Sequence, residues 1–470
     1  MTRLFKVCML ALISALFCHT AAAQTVPKIT RASGMFYTID LVSPQIVIDT
    51  ASKVVTAITF RLEAPNAEKV TIDGDFLPAQ MRPVQMSKNE SGLWEYTYSP
   101  PEKMSGLFTY VFYVDGLRFL DPSNINIIRN DTQYYNFFVL DNPFFVLHPD
   151  TVSDGLSVTF NNADSLCAKA LNYAARTRGS ILHTWYRSDS LKMDRRMSVY
   201  LPAGYFAPDS ETKRYKVLYL LHGMGGDEDS WLRFGRLQQI MDYLISEKYI
   251  DPLIVVMPNG NVDVDAAPGQ SALGYTVPDP YLPHTMDGIF EKYFIEIVNF
   301  TDANFRTEAC KKGRSIAGYS MGGLNALWIA LNHPDTFSNL GLFSPAVGYD
   351  NPAIDVYANF EEKLAELTFK DFDKLIMCIG KDDFLKDNFD KLYNKIDSMI
   401  IVPYPAVAVA LEANTYKKGF DLFHFLKTYS EGGHVWENWR DYLISFLRTI
   451  NYESNWEYRY NKYNKLHKNN

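Results

Sequence analysis

Gly318-Tyr319-Ser320-Met321-Gly322-Gly323 stands between a short apolar run, Arg314-Ser315-Ile316-Ala317-Gly318, and a stretch with clear helical spacing, Leu324 to Leu331. A serine between glycines, leaving a strand and entering a helix, is the context of a nucleophile elbow. Glycines at 318 and 322 let the backbone turn sharply in a crowded place, which lifts the Ser320 hydroxyl clear of the sheet. The amide of Met321, at the helix start, then points where an oxyanion would form. The alternative is a structural turn, because the pattern is common outside that context.

Working outward, Val217 to Leu221, Leu253 to Met257, Leu340 to Phe343 and Leu375 to Ile379 are continuously apolar. Strands without alternation are buried on both faces, as in a parallel sheet covered by helices. Gly235 to Glu247 and Phe290 to Thr301 carry helical spacing between them. The chain from Met197 onward therefore reads as α/β. Before it, Val54 to Leu62, Trp94 to Tyr98 and Phe108 to Val114 alternate with period two, and the last meets the hairpin signal Asp115-Gly116. Short strands at this spacing predict a separate all-β sandwich, immunoglobulin-like in build.

A serine hydroxyl needs a base to become a nucleophile. In the α/β-hydrolase fold the chain order is nucleophile, acid, histidine. Only His333, His424, His434 and His467 follow Ser320. His333 ends the helix that leaves the elbow and suits a helix-terminal cap. His424, in Phe423-His424-Phe425, is expected to enter a strand and be buried, and His467 lies in a polar tail. His434, in Gly432-Gly433-His434-Val435-Trp436, sits on a flexible loop between a strand and a helix, where a catalytic histidine should hang. The acid should follow a late strand, and by spacing Asp382 and Asp383 in Gly380-Lys381-Asp382-Asp383 are equal candidates. The second oxyanion donor is expected to be the amide of Met224 in His222-Gly223-Met224-Gly225-Gly226, with His222 structural. Asp227-Glu228-Asp229 has no histidine at ligand spacing, so a solvated helix start is expected there rather than a metal site.

The 470 residues suit two or three domains, and 47% hydrophobic with 21% charged residues predicts a packed core. A net charge of −8 gives no electrostatic reason to bind nucleic acid or anionic membranes. Arg3 and Lys6, the apolar run Val7–Phe17 and Ala21-Ala22-Ala23 read as an export signal cleaved after Ala23. Phe17 is bulky where lipid processing at Cys18 wants a small residue. No later segment has the roughly 20 apolar residues of a membrane span. The mature cysteines, Cys167, Cys310 and Cys378, are far apart and are expected to be buried free thiols.

Three motifs in order, Tyr219 to Gly226, Gly318 to Gly323 and Gly433 to Arg440, resemble the esterase D-like family and, within it, the feruloyl esterases among carbohydrate esterases. The resemblance covers Arg195 to Leu447. It implies an α/β-hydrolase fold, with a mostly parallel sheet and helices on both faces, and no cofactor. In that family the acid sits fourth in a G-x-x-D turn, which favours Asp383. Phe60 to Pro65, Gly92 to Glu95 and Val114 to Arg118 with Asp121-Pro122 resemble a glycogen-binding type of carbohydrate-binding module. The expected organisation is a signal peptide at 1–23, a β-sandwich at 24–140, a connector at 141–178, the esterase domain at 179–450 and a tail at 451–470. The connector and the long segment Asp387 to Tyr416 depart from the family pattern.

The resemblance implies a secreted serine esterase that removes feruloyl or acetyl groups from plant polysaccharide such as xylan. Two alternatives are a siderophore trilactone esterase and a catalytically inactive glycan-binding protein. The front domain is expected to leave chemistry on small soluble esters to the rest of the chain. The apolar stretch Met399 to Leu411 is expected to be a core segment or, as the sharper reading, a lid in which Tyr404, helped by Trp436, covers an aromatic acyl group.

Overall fold

The computed structural model describes residues 41–49, 54–101, 104, 106–130, 132–140, 177–271, 282, 284–369, 373–400 and 424–451. The export signal, the connector up to residue 176, Tyr404 with the stretch from 401 to 411, and His467 lie outside the described residues. By internal packing the chain falls into two units. Of the described residues, one unit holds 41–49, 55–100 and 111–125, and the other holds 54, those from 101 to 110 and those from 126 on.

In the first unit, strands β1 (Gln45–Ile48), β2 (Val55–Glu63), β5 (Ser87–Lys88) and β6 (Leu93–Tyr98) form an antiparallel sheet in the order β1-β2-β6-β5. Strand β3 (Val70–Gly74) pairs with β4 (Val84–Gln85). The end of β7 (Gly106–Val114) turns at Asp115-Gly116 into β8 (Leu117–Phe119), as the hairpin signal predicts. The region is all-β and antiparallel. Ile58, Phe60, Val70 and Ile72 are fully buried, and Thr59, Arg61 and Thr71 between and beside them are buried as well.

In the second unit the start of β7 pairs with β10 (Gln133–Leu140), and β10 with β9 (Ile127–Asn130), both antiparallel. The main sheet has eight strands: β11 (Ser180–Ser188), β12 (Met193–Leu201), β13 (Val217–Leu221), β14 (Ile254–Pro258), β15 (Arg314–Tyr319), β16 (Asn339–Phe343), β17 (Lys374–Gly380) and β18 (His424–Ser430). Their order is β11-β12-β14-β13-β15-β16-β17-β18. The first two ladders are antiparallel and the other five parallel. This is the α/β-hydrolase arrangement.

Both faces of the sheet are covered, and the apolar runs show how. Val217, Tyr219 and Leu221 enter one buried cluster, with Phe294, Leu327 and Phe389. The alternate residues Leu218 and Leu220 enter the other, with Trp231, Ile240 and Leu443. The first face carries α3 (Ile289–Tyr293), α4 (Ile295–Asn304), α5 (Met321–Asn332), α6 (Phe360–Phe369) and α7 (Lys386–Ile400). The second carries α1 (Ser230–Arg233), α2 (Leu237–Ser246) and α8 (Trp436–Ile450). No helix among the described residues is long and apolar enough to cross a membrane.

Three features differ from expectation. The hairpin β11–β12 opens the sheet although Ser180–Ser188 has no apolar run, because β11 is an edge strand whose side chains are mostly exposed. The helical stretch after Phe290 is two helices, broken at Phe294. Asp227, Glu228 and Asp229 are 3%, 0% and 3% exposed, so the solvated helix start is corrected to a buried acidic turn. Burial of three carboxylates requires compensating cations, and arginines supply them.

Candidate active site

Ser320 joins β15 to α5 with φ 53° and ψ −121°, a backbone conformation that L residues rarely adopt. Neighbouring backbone holds it there. The Ser320 amide donates to the Phe343 carbonyl (2.9 Å), and its own carbonyl accepts from the amides of Gly323 (3.0 Å) and Ala346 (2.9 Å). Gly322 has to be glycine, since a Cβ there would lie 2.5 Å from the His222 carbonyl oxygen and 2.6 Å from that of Leu221. The same crowding brings the loop after β13 to the elbow. A Cβ on Gly223 would stand 3.2 Å from the Ser320 Cβ.

Ser320 Oγ is 2.9 Å from His434 Nε2, and His434 Nδ1 is 2.9 Å and 3.1 Å from the two Asp383 oxygens. An ionised carboxylate only accepts, so the imidazole proton belongs on Nδ1, leaving Nε2 to accept from the serine. The residues come from three strand ends: the elbow after β15, the turn after β17 and the loop after β18. Asp382 and Asp383 separate cleanly. Asp383 is 4% exposed and faces the imidazole. Asp382 is exposed, and its amide donates to the Gly432 carbonyl (2.9 Å), tying the acid turn to the histidine loop. Burial alone would raise the Asp383 pKa. The hydrogen bond and charge of His434, the Leu385 amide and the Ser344 hydroxyl outweigh burial and hold it below the ordinary value.

Aromatic rings fix the imidazole. Trp439 meets it edge-on with centroids 4.9 Å apart and stacks on Tyr319 at 4.1 Å. On the other flank Phe384, 72% exposed, lies 4.7 Å away. Neither Phe384 nor Trp439 was singled out from the sequence. The signal available was their position, one residue after the acid and five after the histidine.

Met321 is the first residue of α5, and Met224 lies in the loop after β13. Their chain positions suit the two oxyanion amides. His222 braces that loop: its Nδ1–H donates to the Gly223 carbonyl (2.7 Å), while Nε2 accepts from the Gly260 amide (2.8 Å). Burial, above all, pushes its pKa down to about 4, so the ring stays neutral and structural. The Trp231 indole donates to the Leu221 carbonyl (2.9 Å), and the Asn261 amide group donates to that of Gly226 (2.8 Å).

Of the other histidines, His333 is the C-terminal cap residue of α5, and His424 opens β18 opposite Lys374. Trp436 is 6% exposed among Trp231, Phe234, Tyr319 and Trp439. Its indole donates to Asn130 Oδ1 (3.0 Å). No group of three or more His, Cys, Asp or Glu side chains that could hold a metal ion occurs among the described residues.

The Esterase family model, described as putative esterase, matches residues 188–450, more than half of the chain. An endo-1,4-beta-xylanase/feruloyl esterase of Xylanibacter ruminicola is 31% identical over 288 residues, 61% of this chain and 34% of that protein. The match thus spans about a third of that relative's length. An acetyl esterase of Caldicellulosiruptor saccharolyticus is 26% identical over 289 residues, 57% of this chain and 96% of the relative. The solved structure of the enterobactin esterase from Shigella flexneri, in the presence of enterobactin, matches with a TM-score of 0.51 and 13% identity. It covers 84% of this chain and 92% of its own, a likeness of fold. With an elbow, an imidazole and a buried carboxylate in hydrogen-bonded sequence and a family model over residues 188–450, the chain belongs to the Esterase family.

Proposed function

We propose that this protein is a serine esterase that removes feruloyl or acetyl groups from plant polysaccharide such as xylan. The observation that carries the reading is the unbroken relay from Ser320 Oγ through His434 to Asp383, with both hydrogen bonds at 2.9 Å. In the reaction, Ser320 Oγ attacks the ester carbonyl carbon and its proton passes to His434 Nε2. Asp383 keeps the imidazole in its tautomer and balances its positive charge. The amides of Met321 and Met224 receive the oxyanion, each donor contributing on the order of 10²–10³-fold in rate. Collapse breaks the bond to the sugar oxygen, which leaves with the proton from Nε2. Water repeats the sequence on the acyl-enzyme and frees the carboxylic acid.

The polysaccharide reading draws on the xylanase/feruloyl esterase and acetyl esterase relatives. Export after Ala23, and a sugar-binding role for the β region of residues 24–140, belong to the same proposal. A trilactone esterase is the second reading, because the enterobactin esterase is matched over 84% of the chain. A panel of methyl ferulate, acetylated xylan and a catecholate trilactone tests the choice. Hydrolysis of either of the first two, abolished by Ser320→Ala, is expected. Turnover of the trilactone alone would replace the proposal.

A further inference from the structure

Within the second unit, β9 reaches the two loops that flank Ser320. Ile128 is buried in the same cluster as Leu218, Trp231 and Trp436, which seats the strand against the sheet face that carries α1 and α8. The next two residues are polar and occupied. Arg129 forms an ion pair with Asp227, both side chains being largely buried. Asn130 Oδ1 accepts the Trp436 indole hydrogen at 3.0 Å. Both contacts lie within the second unit.

Each contact ends beside the catalytic machinery. Asp227 directly follows the loop of residues 222–226, and its Oδ1 accepts from the Asp229 amide (2.9 Å) while its own amide donates to Ser230 Oγ (2.9 Å). Glu228 and Asp229 pair with Arg196, and Asp229 also with Arg233. The cation for Asp227 comes instead from β9. Trp436 is two residues beyond His434, and its ring contacts Tyr319, the neighbour of Ser320, at 4.6 Å, and Trp439, which contacts the imidazole. Removing either polar contact leaves a buried partner unsatisfied and frees the loop it holds.

We infer that Arg129 and Asn130 are positioning residues for ester hydrolysis: Arg129 fixes the loop bearing the Met224 amide, and Asn130 fixes the start of α8 behind His434. The inference rests on the serine-esterase reading above. It means that residues before 140 serve the chemistry of any ester, small soluble ones included, rather than polymer alone. A displacement of a donor by a fraction of an ångström loses much of its contribution to the transition state. Each lost contact is therefore expected to lower kcat about 10- to 100-fold, with KM within about threefold.

The test uses the full chain and p-nitrophenyl acetate, with kcat and KM measured well below each variant's melting temperature. Arg129→Met should lower kcat in that range, Arg129→Lys should recover most of it, and Arg129→Met in an Asp227→Asn background should add little further loss. Asn130→Ala with Trp436→Phe forms a second, independent cycle that stays informative should Arg129→Met fail to fold. Unchanged kcat in folded Asn130→Ala and folded Arg129 variants would overturn the inference. So would losses that are additive in both cycles and not rescued by lysine. If the serine-esterase reading itself were wrong, the wild type would fail to turn over the ester or to be labelled by a fluorophosphonate at Ser320, a result distinct from any variant effect.

Discussion

Two turns leave neighbouring parallel strands of the same sheet, the acidic turn after β13 and the elbow after β15, and they are held by opposite means. The elbow carries no charge. One residue, Ser320, takes an unusual backbone angle, and a glycine two residues later lets neighbouring carbonyls crowd in. The turn at 227–229 carries three carboxylates out of water and relies on Arg129, Arg196 and Arg233 to balance them. Glu228 alone accepts from the Arg196 guanidinium (2.6 Å), the Ala267 amide (2.8 Å) and the Asn259 side chain (2.8 Å). One turn is specified by the residues within it, the other by residues up to about a hundred positions away. The elbow presents the nucleophile, and the acidic turn anchors the loop proposed to receive the oxyanion.

That contrast can be broken at the elbow first. Ser320→Ala should lower kcat by about 10⁴-fold or more and leave the melting temperature nearly unchanged, since the strained angle belongs to the backbone. Asp383→Asn should cost about 10⁴-fold by upsetting the imidazole tautomer. Asp382→Asn should stay within about threefold. A larger loss from Asp382→Asn than from Asp383→Asn would shift the relay by one residue.

Damage at the acidic turn should register in stability as well as in rate. Glu228→Gln leaves Arg196 short of its closest anion in a fully buried place and is expected to lower unfolding free energy by about 3 kcal/mol, read from urea midpoints. A loss below about 1 kcal/mol would mean that Asp229 alone satisfies the guanidinium.

The smallest effect comes from pH, through His222. Its folded pKa, about 4, lies below the ordinary 6.5, so the unfolded chain takes up the proton first. Stability should therefore fall as pH drops from 6.5 toward 4, by about 2 kcal/mol between pH 6.5 and 4.5 from this group. His222→Gln should flatten that slope in urea titrations at the two pH values. An unaltered slope would show that the brace at Gly223 and Gly260 is not what acid loosens.

The sequence by itself determined the features whose cause is local. Apolar runs bounded by breakers marked β13, β14, β16 and β17, because a strand buried on both faces admits few polar side chains. The glycine spacing around Ser320 marked the elbow, because no other residue fits where carbonyls approach a Cβ at 2.5 Å. Flanking glycines and the strand before them marked the His434 loop. Spacing could not choose between Asp382 and Asp383. The tertiary structure did so, because only the second faces an imidazole carried by another strand end. Tertiary structure alone also decided that Asp227, Glu228 and Asp229 are buried, since burial of charge depends on arginines that the fold brings from afar. It decided too that Trp436 sits in an aromatic cluster with its indole on Asn130, a partner 306 residues away in the chain.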